Sequence, residues 1–126
     1  MTDWNPGQAA AIAAPQEVRV ATRRRDGTLR RPRTIWIVRA GERVYIRSTN
    51  GPGADWFRAA TATRSGQILA DGRTYDVTFT EVTDPSDLAA ADEGYRAKYR
   101  PYASIVAHLE EVGPRSATLQ VTPAEN

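Results

Sequence analysis

Apolar and polar positions along the chain fall into short alternating runs, separated by turn residues. Glu17–Thr22 alternates with Val18 and Val20 on one face, which predicts a strand. Thr34–Val38 (Thr-Ile-Trp-Ile-Val) is apolar on both faces; Ala40-Gly41-Glu42 turns the chain, and Val44-Tyr45-Ile46 returns it as a hairpin partner. A second hairpin is predicted from Ile68–Ala70, the Asp71-Gly72 turn and Thr74–Val82. In its longer arm Tyr75, Val77 and Phe79 alternate with Thr74, Asp76, Thr78 and Thr80. Ala117–Thr122 supplies a closing strand with Leu119 and Val121 inward. Helical stretches lie between these runs. Asn5-Pro6 starts one that Pro15 stops, Ala54–Ala62 forms a short one, Asp84-Pro85 opens one that runs to about Arg100, and Ala103–Glu111 follows before the Gly113-Pro114 break.

Six strands, mostly joined as antiparallel hairpins, predict a mainly β (α+β) fold: a small closed barrel with peripheral helices. The chain has 126 residues, one domain's worth, read as an N-terminal helical arm (1–14) followed by the barrel domain (15–126). A strand with two apolar faces must be covered on both. One face belongs to the barrel core, and the other calls for a partner subunit or a planar ligand.

Charge changes this picture more than composition does. Net charge is +2, yet residues 1–63 hold 11 arginines against 5 acids, and 7 of those arginines fall between Arg19 and Arg33. A basic segment of this kind faces an anion or is simply solvated. The absence of cysteine removes thiolate chemistry and disulfides, and the single histidine, His108, rules out a multi-histidine metal centre. No metal site is expected. No apolar run approaches membrane-spanning length, and Met1–Pro6 lacks the pattern of a signal peptide, so a cytoplasmic protein that does not bind membranes is the expectation.

Two motifs carry candidate chemistry. Thr22–Arg33 (TRRRDGTLRRPR) places forked guanidiniums around the Asp26-Gly27 turn, suited to phosphate oxygens, without Walker spacing. Ser48–Arg58 (STNGPGADWFR) puts hydroxyls and a glycine turn just before a helix. Each also reads as an ordinary loop. A nucleic-acid binder would use the same arginines, but no recognition motif for one is present, and no nucleic-acid partner is expected.

Taken in order, the arginine turn, Gly27-Thr28-Leu29, Pro32-Arg33-Thr34, Ile35-Trp36-Ile37-Val38, Tyr45-Ile46-Arg47-Ser48 and Trp56-Phe57-Arg58 resemble the flavin- and deazaflavin-binding split β-barrels. These are the superfamily of pyridoxamine phosphate oxidase and the deazaflavin-dependent nitroreductases, and within it the chain resembles a compact subfamily of unassigned function. The resemblance spans roughly residues 15–122 and implies a six-stranded antiparallel split β-barrel. It further implies FMN or a deazaflavin coenzyme, with hydride transfer to a small organic acceptor; the alternative is a non-catalytic module of the same fold. By the same resemblance Arg24, Arg25 and Arg33 hold the cofactor phosphate, Thr34, Ile35 and Trp36 lie along the ring, and Ser48, Thr49, Asn50, Gly51 and Trp56 complete the site. Here the family's Ser-x-x-Gly-Gly loop is replaced by Ser48–Gly53, and the spacing from Gly27 to Pro32 is longer than usual. Tyr99 and Tyr102 match the substrate side, although tyrosines on such a helix also pack it against a barrel. No catalytic residue is assigned, since the hydride comes from the cofactor ring. A small-molecule substrate follows, and a homodimer is slightly preferred over a single subunit.

Overall fold

A computed structural model describes residues 4–124. Asn5 caps α1 (Pro6–Ala13) through a reciprocal pair: its side chain accepts from the Gln8 backbone at 2.8 Å, and the Gln8 side chain accepts from the Asn5 backbone at 3.2 Å. The strands are β1 (Val18–Thr22), β2 (Arg33–Ile35), β3 (Ile37–Ala40), β4 (Arg43–Arg47), β5 (Ser65–Ala70), β6 (Arg73–Glu81) and β7 (Thr118–Pro123). Between them lie α2 (Asp55–Thr63), α3 (Pro85–Lys98), α4 (Ala103–Leu109) and α5 (Val112–Ser116). The last is one short helix where Gly113-Pro114 predicts only a break; Pro114 sits early in the helix, where its missing N–H costs nothing.

One antiparallel sheet contains every strand, in the order β2-β1-β5-β6-β7-β4-β3. Its two outermost strands are consecutive in the chain. The run expected as one strand, Thr34–Val38, divides at Trp36: residues 33–35 pair with β1, and residues 37–40 pair with β4 at the opposite edge. The sheet therefore curls until its edges are joined by a single residue without a ladder between them. That is a split barrel and not a closed one, with seven strands among the described residues instead of six. Opposite Thr22, Gly66 lets β5 approach β1 closely; a Cβ there would stand 2.3 Å from the Ala21 carbonyl oxygen.

The barrel interior is filled by Val18, Val20, Ile37, Ile46, Ile68, Val77, Phe79, Leu119 and Val121, with Ile12 of α1 and Phe57 of α2 added to it. A second cluster lies outside the barrel, where Val38 and Tyr45 pack against Ala91, Tyr95 and Tyr99 and against Val106 and Leu109 of α4. This corrects the expectation that a partner subunit or planar ligand covers the second apolar face of the 34–38 run. The chain's own α3 and α4 cover it.

The helices are fastened there by charge as well as packing. The Arg47 side chain, fully buried, donates to the Asp92 carboxylate at 2.7 Å, to the Leu109 carbonyl at 2.9 Å and to the Thr118 hydroxyl at 2.8 Å. Arg115 reaches the other oxygen of Asp92 at 2.9 Å. One buried ion pair thus ties β4, α3, α4, α5 and β7 together.

The break at Trp36 leaves edge-strand backbone that needs partners. Tyr99 and Lys98 supply them. The Tyr99 hydroxyl accepts from the Ile37 N–H at 3.2 Å and donates to the Gln16 carbonyl at 2.6 Å. Lys98, the only lysine, donates to the carbonyls of Ala13, Pro15 and Ile37 at 2.6–2.7 Å. Burial lowers the ammonium to about 8 and raises the Tyr99 phenol to about 12. The Tyr99 ring lies flat on Trp36, with centroids 3.8 Å apart and planes within 2°. Replacing Lys98 by Met should cost about 2–4 kcal/mol, because three carbonyls lose a charged donor. Tyr99→Phe, which keeps the stacked ring, should cost about 1–2 kcal/mol. Urea unfolding measures both, and a Lys98→Met variant as stable as wild type contradicts this account.

Candidate functional site

The Arg-rich segment leaves β1 at Thr22 and returns at β2. Arg23 and Leu29 bridge across it, making a small hairpin with Gly27 (φ +90°) in its turn. That φ is one side chains rarely adopt, so the glycine is required. The Asp26 carboxylate accepts from the Thr28 hydroxyl at 2.6 Å and the Thr28 backbone at 3.0 Å, and these bonds hold its pKa below the ordinary value. Two arginines brace the hairpin. Arg23 donates to the Gly27 carbonyl at 3.0 Å and pairs with Asp76 at 3.5 Å; Arg24 donates to the Leu29 carbonyl at 3.0 Å.

Between this hairpin and α2 lies a groove of about 860 Å³. Seven arginines line it: Arg23, Arg24, Arg25, Arg30, Arg31, Arg33 and, from α2, Arg58. Among the described residues Asp55 is the sole carboxylate in its walls, and no histidine lines it. Trp56 lies half-buried in the α2 wall, its indole touching Phe57 edge-on, and Ala59 and Ala62 keep that wall low. Arg25, Arg30, Arg31, Arg33 and Arg58 make no ion pair or side-chain hydrogen bond within the described residues, so their donors face the groove unspent. Such a surface attracts anions.

Of the residues singled out from the sequence, Arg24, Arg25, Arg33 and Trp56 meet in this groove. The others lie elsewhere. Thr34 is exposed on β2, Ile35 packs against the barrel core, and Trp36 stacks on Tyr99, so the groove opens beside Trp56 and not beside Trp36. Tyr99, matched to the substrate side, is buried with its hydroxyl used inside the chain, whereas Tyr102 is 40% exposed and tilted against Trp36 at 5.6 Å.

The Ser48–Gly51 segment is outside the groove's walls. Ser48 is buried with its hydroxyl unpartnered, Asn50 is exposed, and Gly51 is buried against the Gly113 backbone. The Thr49 carbonyl is held by His108 Nε2 at 2.8 Å. Arg58, Ala59, Ala62 and Thr63 were not marked as site residues by sequence reasoning. Their spacing with Asp55 puts them on one helical face, and that face of small and cationic residues is the signal that could have found them. Among the described residues no group of three or more His, Asp or Glu is arranged to hold a metal ion, and no helix is long and apolar enough to cross a membrane.

A sequence profile described as an uncharacterized protein conserved in bacteria, DUF2255, matches residues 8–121. The chain belongs to this family. No curated protein matches it. Among solved structures, the DUF2255 chain is similar to an F420-H2 dependent reductase, with 13% identity and TM-score 0.61 over 85% of this chain and 93% of that one. A conserved hypothetical protein from Mycobacterium tuberculosis gives 11% identity and TM-score 0.65 over 94% of this chain and 78% of that one. An FAD-binding protein from Mesorhizobium loti gives 12% identity and TM-score 0.58 over 92% and 86%. At these identities the likeness establishes the fold alone: this DUF2255 chain is a split β-barrel.

The loop clamp makes a pH prediction. His108 sits between the Thr49 carbonyl and the Glu111 carboxylate, at 2.8 and 3.3 Å, and both contacts raise its pKa above 6.5, the Thr49 bond foremost. The folded state therefore holds this proton more tightly than the unfolded chain. The stabilisation is complete below 6.5 and is lost as pH rises through the raised value. NMR titration of the imidazole should give a midpoint above 6.5, and His108→Gln should flatten stability across that window. A midpoint at or below 6.5 contradicts the clamp.

Proposed function

We propose that this protein binds a flavin or deazaflavin cofactor by its phosphate-bearing tail in the arginine groove, and that the bound ring exchanges hydride with a small organic acceptor. The observation that carries this reading is the set of guanidiniums without protein counter-ions, gathered on one groove beside a half-buried indole. The residues fit the group. A phosphate takes forked donors from Arg25, Arg33 and Arg58, a flat ring finds an aromatic wall in Trp56, and a groove of about 860 Å³ lies in the range that holds a cofactor. The solved relatives named for F420-H2 and FAD support the same reading.

When bound, the ring supplies the hydride chemistry. The chain's own work is to bind, orient and shield it. The open edge of β2 at Thr34 and Ile35 follows directly on Arg33, suited to the polar rim of a ring whose tail sits among the arginines. Ser48, Thr49, Asn50 and Gly51 enter this reading as a supporting loop ahead of α2, and Tyr102 enters as the exposed aromatic on the acceptor side. Light scattering counts the copies in solution, one or two.

Titration with FMN and with the deazaflavin coenzyme, followed by fluorescence, should give saturable binding of at least one. The double variant Arg25→Gln/Arg33→Gln should weaken it at least about tenfold while leaving the fold intact, since each charge-assisted bond contributes about 1.5–3 kcal/mol. No saturable change with either cofactor overturns the proposal. Consumption of the reduced cofactor by a panel of acceptors then separates an enzyme from a module that only holds its ligand.

A further inference from the structure

The groove holds more positive charge than one phosphate group can use. Seven arginines line it, and the carboxylates beside them are Asp55 in the α2 wall, Asp76 at 3.5 Å from Arg23, and Asp26 in the turn, which its bonds from Thr28 keep ionised near Arg24. Arg23 and Arg24 are engaged in bracing the hairpin. Five guanidiniums remain, Arg25, Arg30, Arg31 and Arg33 on one wall and Arg58 on the other. A terminal phosphate presents three oxygens and at most two negative charges, which two or three forked donors exhaust. The rest would repel one another across a groove of about 860 Å³.

We infer that the anionic part of the ligand is a linear polyanion of three or more charges lying along the groove, of which a chain of linked phosphates is the simplest form. This deepens the cofactor reading and rests on the same groove, but it concerns only the charged tail. A monophosphate would fill one end of the site. A longer anion would engage both the 30–33 segment and Arg58 of α2, and so bridge the two walls.

Calorimetry on the full chain at low ionic strength, with inorganic phosphate, pyrophosphate and tripolyphosphate as probes, tests the inference without any ring present. Affinity should rise at least about tenfold with each added phosphate, because each brings one more charge-assisted contact. It should fall as salt is added. Arg31→Gln and Arg58→Gln should each weaken tripolyphosphate at least about tenfold. Both side chains are exposed and without protein partners, so both variants should fold and, relieved of repulsion, melt at or above the wild-type temperature without ligand.

Equal affinity for phosphate and tripolyphosphate overturns the inference. So does an affinity that goes on growing with the length of a single-stranded oligonucleotide, since a groove of this size saturates and an extended nucleic-acid surface does not. Adding FMN and FAD separates the two proposals. If both flavins bind but the phosphate series is flat, the polyanion inference fails and the cofactor reading stands. If the series is steep while neither flavin nor the deazaflavin coenzyme binds, the cofactor reading fails and the inference stands.

Discussion

The structure depends on how the backbone is satisfied at one point, Ile37. A sheet that curls into a barrel without closing its ladder leaves two edges with polar groups to satisfy, and an open edge invites pairing with another chain. Here the two edges are successive segments of one strand-like run, joined through Trp36. Tyr99 takes the Ile37 N–H, and Lys98 takes its carbonyl together with those of Ala13 and Pro15 at the C-terminal end of α1. Placing those two side chains fixes the C-terminal end of α3. The placement of α3 in turn sets Tyr95 over the buried Arg47, whose guanidinium lies 5.3 Å from that ring, and seats Asp92 to pair with it.

This arrangement also determines which surface stays open. The face of β3 and β4 away from the barrel core is filled by α3 and α4, and Trp36 is covered by Tyr99 on one side. What remains accessible is the other end of β2, where Arg33 faces α2 across the arginine groove. The hairpin between β1 and β2 is braced by internal bonds from Arg23, Arg24 and Asp26, so its unpaired guanidiniums are held close together before any ligand arrives. Holding like charges together costs stability. A fold accepts such a cost where it preorganises a site.

Much of this was legible in the sequence, for reasons that can be named. Alternation in Thr74–Thr80 and the Asp71-Gly72 turn are local signals, and β5 and β6 form as they predict. The arginine cluster was visible because its members are neighbours in the chain. The break at Trp36 was not, because Thr34–Val38 carries no glycine or proline at that point; only the competition between two different partner strands divides it. The cover on its second face was likewise hidden, since Tyr95 and Tyr99 lie some 60 residues further along and an apolar face does not announce its partner. In the sequence Lys98 reads as a cation for an acidic substrate or for water, until its contacts with Ala13 and Pro15, 85 and 83 residues away, are in view. Within the site, Arg58 is remote in the chain from the arginine cluster, and only the packing of α2 against β1 brings it to the groove.

The geometry of β2 constrains what a ligand held in the groove can reach. From Arg33 to Trp36 the chain advances three residues, about 10 Å in extended form. Side chains alternate along it, so Arg33 and Ile35 share one face and Thr34 the other. β2 is paired on one side only, with β1, so its free edge presents backbone donors and acceptors along those 10 Å or so. On the cofactor reading, a tail anchored at Arg33 and continuing toward Trp36 would pass along that row of peptide groups. The strand that delivers Arg33 would then also set how far the rest of the ligand reaches. Shifting it by one residue would turn Arg33 away from the groove and Thr34 into it.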